Sequence, residues 1–311
     1  MILAGASTRV AIGDLPVNTL SSDFGAASAN ASTPRPAPAS RVTRAYRAVR
    51  SFLFLLVFVI HLLIIIAAGQ RLVVLPLVKL FPRRRQGIVR AWLRLHAHAT
   101  LALARIVGGM RLRIEGAIPR ESVVVVMNHQ SVLDIPLGIA LVPGPYPIIP
   151  TRERYGRRIP GISVLVHLAR FPTVSQRRET ARAELAAIAE AADATARGEN
   201  SMLIFAEGHR TRDGLIAPFM RSGLRLVLER AKRPVYCVVA DGLWHARTTF
   251  DAATGFAGAM CSVRILGPFT APAADIDSFI EELRERMVAT LDAMRAARAA
   301  KASGAASASA A

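Results

Sequence analysis

The stretch SVVVVMNHQSVLD, residues 122–134, decides the fold. Four consecutive valines leading into Met127 read as a buried strand, because β-branched side chains suit a pleated surface packed on both faces. Ser131 and Asp134 then match a helix-start signature, in which a small hydroxyl residue is followed three positions later by a carboxylate. A strand that turns directly into a helix implies an α/β sheet. Further apolar runs at 146–150, 163–169, 201–206, 235–240 and 261–267 read as strands, and helical patterns fall near 131–141, 176–197, 221–231 and 276–298. The expectation is an α/β domain over 101–300, with a mixed, mostly parallel sheet flanked by helices. Such a sheet places its ligands at the carboxyl ends of its strands.

Upstream the composition changes twice. Residues 1–40 are rich in Ala, Ser, Thr and Pro, show no sustained hydrophobic period, and read as a disordered tail. The Ala/Ser stretch at 301–311 is read the same way. Between tail and domain lies RVTRAYRAVR (41–50) and then FLFLLVFVIHLLIIIAA (52–68), about the minimum length for a membrane helix. Ala67, Ala68 and Gly69 resemble a signal-peptidase site, but the apolar run is long for a signal and begins late, which favours an anchor. A second apolar piece, LVVLPLVKLF (72–81), is too short to span alone, carries Pro76 and reads as interfacial. Arginines flank both sides, so no orientation follows from charge. Residues 41–100 are therefore expected to anchor the chain, as a helix or a helical hairpin dipping into the inner leaflet of the cytoplasmic membrane.

The 311-residue chain carries a formal net charge of +18, so its partners are expected to be anionic. Each basic residue near an anionic membrane surface is attracted by about 1 kcal/mol, which accounts for the charge without nucleic acid. No run of basic residues interleaved with aromatics, as single-strand binders use, is present. The only cysteines, Cys237 and Cys261, lie in strand-like stretches without metal or redox spacing and read as reduced core thiols, consistent with a cytosol-facing domain.

Two strand ends carry chemistry. His129, just after Met127, can take the proton of an attacking hydroxyl, and a carboxylate on its other ring nitrogen would fix the tautomer and stabilise the imidazolium. Asp134 is five residues on and can meet it where the chain bends at a helix start. The same Asp134 also fits a plain capping role. The second motif, FAEGHRT (205–211), follows another apolar strand. Gly208 permits close backbone approach, and Arg210 can make a charge-assisted fork to phosphate. Glu207 would repel phosphate, so it is expected to orient Arg210 or accept a bond from a ligand hydroxyl.

Together the two motifs resemble the glycerolipid acyltransferase family, whose first block reads NHxxxxD and whose third reads close to FPEGTRS. The order and spacing match over roughly residues 110–270, including PFMRSG at 218–223. The resemblance implies that His129 is a general base with Asp134 as its partner. It also implies that Asn128, Glu207, Gly208, His209 and Arg210 belong to the acceptor site, joined by Arg170 at the end of GISVLVHLAR. It implies acyl transfer from acyl-CoA or acyl carrier protein to a lysophospholipid such as 1-acyl-sn-glycerol 3-phosphate, with no cofactor. Three positions depart from the pattern. Ala206 stands for Pro, His209 for Thr, and Cys237 falls where the fourth block usually carries Pro. His209 bears on the headgroup, either as a further phosphate donor or as a sign of another acceptor such as a lyso-aminolipid. A rival of another class is a non-catalytic scaffold for anionic lipid. His61, His96, His98, His167 and His245 lack ligand spacing, so no metal is expected.

Overall fold

The computed structural model describes residues 40–175, 177, 179–244 and 256–310. The tail expected over 1–40 lies outside them apart from Ser40, as does His245. The described residues open with a 40-residue helix, Arg41–Leu80 (α1), in which Thr43 N donates to the capping Ser40 hydroxyl. A 3₁₀ turn at Pro82–Arg84 leads into Arg85–Ile106 (α2), which packs back against α1. The two apolar pieces expected at 52–68 and 72–81 are thus one continuous helix, and the hairpin's second arm is α2. The helix passes Pro76 because a π-helical turn at Gln70–Val74 widens it around Leu72, whose carbonyl the proline would otherwise crowd; a second π turn lies at His61–Ile66.

A six-stranded sheet follows. Its strands are Arg111–Glu115 (β1), Val124–Met127 (β2), Pro147–Ile148 (β3), Ser201–Ile204 (β6), Val235–Asp241 (β7) and Met260–Phe269 (β8). Spatial order is β1-β8-β7-β2-β6-β3, and only the β7–β8 pair is antiparallel. Thr151–Arg152 (β4) and Thr173–Val174 (β5) form a separate parallel pair. Helices Asp134–Leu141 (α3), Ile162–Leu168 (α4), Ala181–Ala196 (α5), Arg221–Ala231 (α6) and Ile276–Ala310 (α7) complete the described elements. Every residue of β2, β6 and β7 is buried, as a parallel sheet covered on both faces requires. Cys237 and Cys261 sit in this core as free thiols, and burial pushes Cys237 up to about 12.

The run at 163–169, expected as a strand, is instead α4. So short a run carries no period that separates strand from helix, and Gly161, at φ 77°, starts the helical turn. Alanine's high helix propensity likewise carries α7 through the Ala/Ser stretch that was expected to fray.

α1 is fastened both to α2 and to the rest of the domain at several points. Arg50 donates to the carbonyls of Ile106 and Val107 at the end of α2, a favourable place for a cation. The Ser51 hydroxyl accepts from Ala257 N, Phe54 stacks on Phe256 at 4.4 Å, and Gln70 donates to Gly161 O. His61 and His96 meet between the helices, with ring nitrogens 3.4 Å apart. The outer face of α1 is exposed and apolar, from Phe52 through Leu56, Ile64 and Leu72, so by length and composition this helix is able to cross a membrane.

Two glycines test the packing in opposite directions. A Cβ at Gly144 would lie 2.4 Å from Arg120 O and 2.6 Å from Glu121 O. Backbone cannot swing aside as a side-chain tip can, so Gly144→Ala should lose about 1–3 kcal/mol. A Cβ at Gly87, in the first turn of α2, would meet nothing within 4 Å, so Gly87→Ala should gain about 0.5 kcal/mol. Thermal melts of the two variants in detergent should therefore shift to opposite sides of the wild type; a shift to the same side contradicts this packing.

Candidate active site

The turn after β2 is organised by one carboxylate. Asp134, fully buried at the start of α3, uses Oδ2 to accept from the N–H groups of Gln130 (2.5 Å) and Ser131 (2.6 Å) and from His129 Nδ1 (3.0 Å). The two readings of Asp134 are therefore both realised in the geometry, because the oxygen that ties the helix start also binds the imidazole. With Nδ1–H donated to Asp134, Nε2 is left with its lone pair as the ring's basic nitrogen. The ring stacks on Phe205 at 4.2 Å, which fixes its plane, and its side chain is 14% exposed. His129 is thus held from two sides and open at one edge.

Asn128 does something other than the substrate contact expected of it. Its amide donates to Ala240 O (2.9 Å) and accepts from Ala240 N (2.8 Å), so a buried side chain continues the β2–β7 ladder where the backbone leaves it. Only 2% exposed, the side chain holds the His129 turn against β7.

Glu207 also departs from expectation. Oε1 accepts from His129 N and Oε2 from Ala217 N, each at 2.9 Å. It clasps the histidine turn to the loop after β6 instead of turning to Arg210 or a ligand hydroxyl. Burial pushes its pKa up to about 7, while the N–H groups of Ala217 and His129 pull the other way. Thr211 N donates to His129 O at 2.8 Å, so two bonds join the motifs. Gly208, at φ 69°, makes the turn between them, and a Cβ there would strike Met220 Sδ at 2.2 Å. Arg210 follows within this loop, partly exposed, and His209 is solvent-exposed.

Arg170 lies just past the end of α4, exposed, with φ 54°, and its charge is felt by Tyr146. A second arginine, Arg152 on β4, donates to Gly208 O at 3.0 Å. Sequence alone missed it because TRER at 151–154 carries no motif and its partner is 56 positions away. Among the described residues no group of three or more His, Cys, Asp or Glu is placed to hold a metal.

Glu207 gives a test in pH. Its folded pKa stands above the ordinary 4.5, so the folded state binds the extra proton between about 4.5 and 7. Stability from this group is therefore present below that window and is lost as pH rises through it. Glu207→Gln should abolish this component of the pH dependence of unfolding. Because one of two buried N–H groups would then face an amide nitrogen, it should also cost about 1–3 kcal/mol at pH 5. Parallel wild-type and variant stability curves across pH 4.5–7 contradict the assignment.

Comparison with known proteins bears on this geometry. Residues 110–241 match the family model described as Acyltransferase, a span that takes in β2, the His129 turn, the Glu207 loop and β7. No curated protein matches the chain. Among solved structures, the crystal structure of the 1-acyl-sn-glycerophosphate (LPA) acyltransferase PlsC from Thermotoga maritima superposes with a TM-score of 0.56 at 19% identity, covering 80% of this chain and 98% of that one. The likeness extends to the mixed sheet and its flanking helices. Over residues 110–241 this chain is therefore similar to the acyltransferase family, and its fold is that of the Thermotoga maritima structure.

Proposed function

We propose that the protein moves a fatty acyl group from acyl-CoA or acyl carrier protein to the free hydroxyl of a lysophospholipid, with 1-acyl-sn-glycerol 3-phosphate as the acceptor and phosphatidic acid as the product. The observation that carries this reading is the His129 Nδ1 to Asp134 Oδ2 contact of 3.0 Å beside an arginine-bearing loop at the ends of parallel strands. In this mechanism His129 Nε2 removes the proton as the acceptor oxygen attacks the thioester carbonyl. The tetrahedral intermediate collapses, the C–S bond breaks, and the leaving thiolate takes the proton from the imidazolium. Asp134 stabilises that imidazolium without becoming protonated. Cys237 and Cys261 are buried with raised pKa values, so direct attack by the acceptor fits better than a cysteine-bound acyl intermediate.

On this reading Arg210, with Arg152 beside the same loop, receives the acceptor phosphate. The exposed apolar face of α1 would lie in the lipid from which the acceptor arrives, at the cytoplasmic face of the inner membrane, while the soluble donor comes from the cytosol. A thiol-release assay with palmitoyl-CoA and a panel of lysolipids, including lyso-aminolipids, tests both chemistry and headgroup. Turnover with lysophosphatidic acid well above the rest supports the proposal, and thiol release with none of them removes it in favour of a lipid-binding role.

Two substitutions sharpen it. Asp134→Asn keeps an oxygen for the Gln130 and Ser131 N–H groups but loses the charge, so kcat should fall about a hundred- to ten-thousandfold with the melting temperature nearly kept. A capping role alone predicts the reverse. Arg210→Ala should raise KM for the lysolipid by about tenfold or more, the worth of a charge-assisted contact, and leave the donor KM within about twofold; a change confined to the donor KM moves the phosphate site elsewhere.

A further inference from the structure

The loop that carries Arg210 is held from behind by a helix outside the matched family domain. On α7 a run of apolar side chains, Ile280, Leu283, Met287, Leu291 and Met294, is buried against the domain, and arginines flank it. Arg284 Nε donates to Ala217 O at 3.3 Å, and Arg295 Nη2 donates to Gly214 O at 2.7 Å. These residues lie 11 apart, about three helical turns, so one face of α7 grips both ends of the segment 214–217. Ala217 is also the residue whose N–H holds Glu207. The Gly214 carbonyl is shared, because Gln130 Nε2, one residue from His129, lies 3.5 Å from it.

Arg295 is itself held. Asp241, at the end of β7 and 1% exposed, accepts from Arg295 Nη2 at 3.1 Å and Nε at 3.3 Å. Arg298 Nη1 lies 2.9 Å from the other oxygen, an ion pair that lacks hydrogen-bond alignment. The planar guanidinium of Arg295 thus spans a buried carboxylate and a loop carbonyl at once, a bridge that arginine's fixed fork suits. Arg298 shares the carboxylate and reaches Ser262 Oγ on β8 at 3.4 Å, a contact directed to the sheet and not to the Gly214 carbonyl.

We propose that Arg295, set by Asp241, is a positioning residue for the acceptor loop. By pinning the Gly214 carbonyl it fixes the register of residues 208–217 against the His129 turn, and with it the placement of Arg210. This inference rests on the acyl-transfer reading only for its kinetic consequence. The loop contacts themselves stand apart from it.

Arg298 supplies the control, because Arg295→Ala and Arg298→Ala each remove one cation from Asp241 and only the first frees the loop. In full-length protein in detergent, amide hydrogen exchange in peptides covering 205–217 should speed up about tenfold in Arg295→Ala and stay within about twofold of wild type in Arg298→Ala. The lysolipid KM should rise about tenfold in Arg295→Ala alone, with the donor KM unchanged. Arg295→Lys, which keeps the charge but loses the fork, should move both readouts in the same direction by less, and it serves if the alanine variant does not fold. Equal exchange in the two alanine variants, or exchange in 205–217 unchanged by Arg295→Ala, overturns the proposal. If wild-type protein transfers no acyl group, the functional reading fails and the exchange comparison still decides the brace.

Discussion

Asp134 Oδ2 accepts three hydrogen bonds in a place closed to water, two from backbone N–H groups and one from an imidazole. Donors gathered on one oxygen offset the cost of burying the charge, while Oδ1 is buried without a hydrogen-bond partner among the described residues, and the three bonds determine much around them. They bend the chain between β2 and α3 tightly enough for residues five apart to touch. They select the His129 tautomer and turn its other nitrogen outward. The cost of burying the charge and the benefit of orienting the base belong to one contact, so the helix start cannot be weakened without disturbing the histidine.

Around that contact the site is assembled from clasps made by side chains to backbone. Asn128 copies a ladder bond to β7, Glu207 ties the histidine turn to Ala217, and Arg152 holds Gly208 O. Each uses a polar side chain to hold the backbone. On the proposed function, the groups left to meet substrate are chiefly the outward edge of His129 and the loop of Arg210 with Arg152 beside it. Backbone held this way needs little reorganisation when charge develops, which is how preorganised sites lower barriers.

What sequence could reveal follows from distance along the chain. His129 and Asp134 were legible because five residues separate them and the local bend is encoded by the capping pattern. β2, β6 and β7 were legible because their apolar side chains run together and are buried on both faces; β8 showed itself by the alternation around Val263 and Ile265. Glu207 was seen as a site residue, but its partners are 78 and 10 residues away, and no local signal says whether a carboxylate will meet a ligand or an amide. Residues 163–169 have the composition of a strand, yet they fold as a helix at the junction with α1, a tertiary preference that overrides a weak propensity. The single helix through Pro76 was hidden for a similar reason, since π turns leave no mark in composition.

The points that fasten α1 to the domain constrain how it can meet a bilayer. Ser51 and Gln70 both bond to it, and they are 19 residues apart, about 28 Å of helix, close to the roughly 30 Å of a hydrocarbon core. Over that whole length one side of α1 is protein. A helix crossing the bilayer at right angles would therefore carry the polar surface of the domain into lipid with it. On the proposed membrane-borne function, the arrangement instead suits a helix lying along the membrane plane with its apolar flank immersed, like a float on the side of a hull, which would hold the domain at a fixed depth and the His129 turn at a set height from the headgroups.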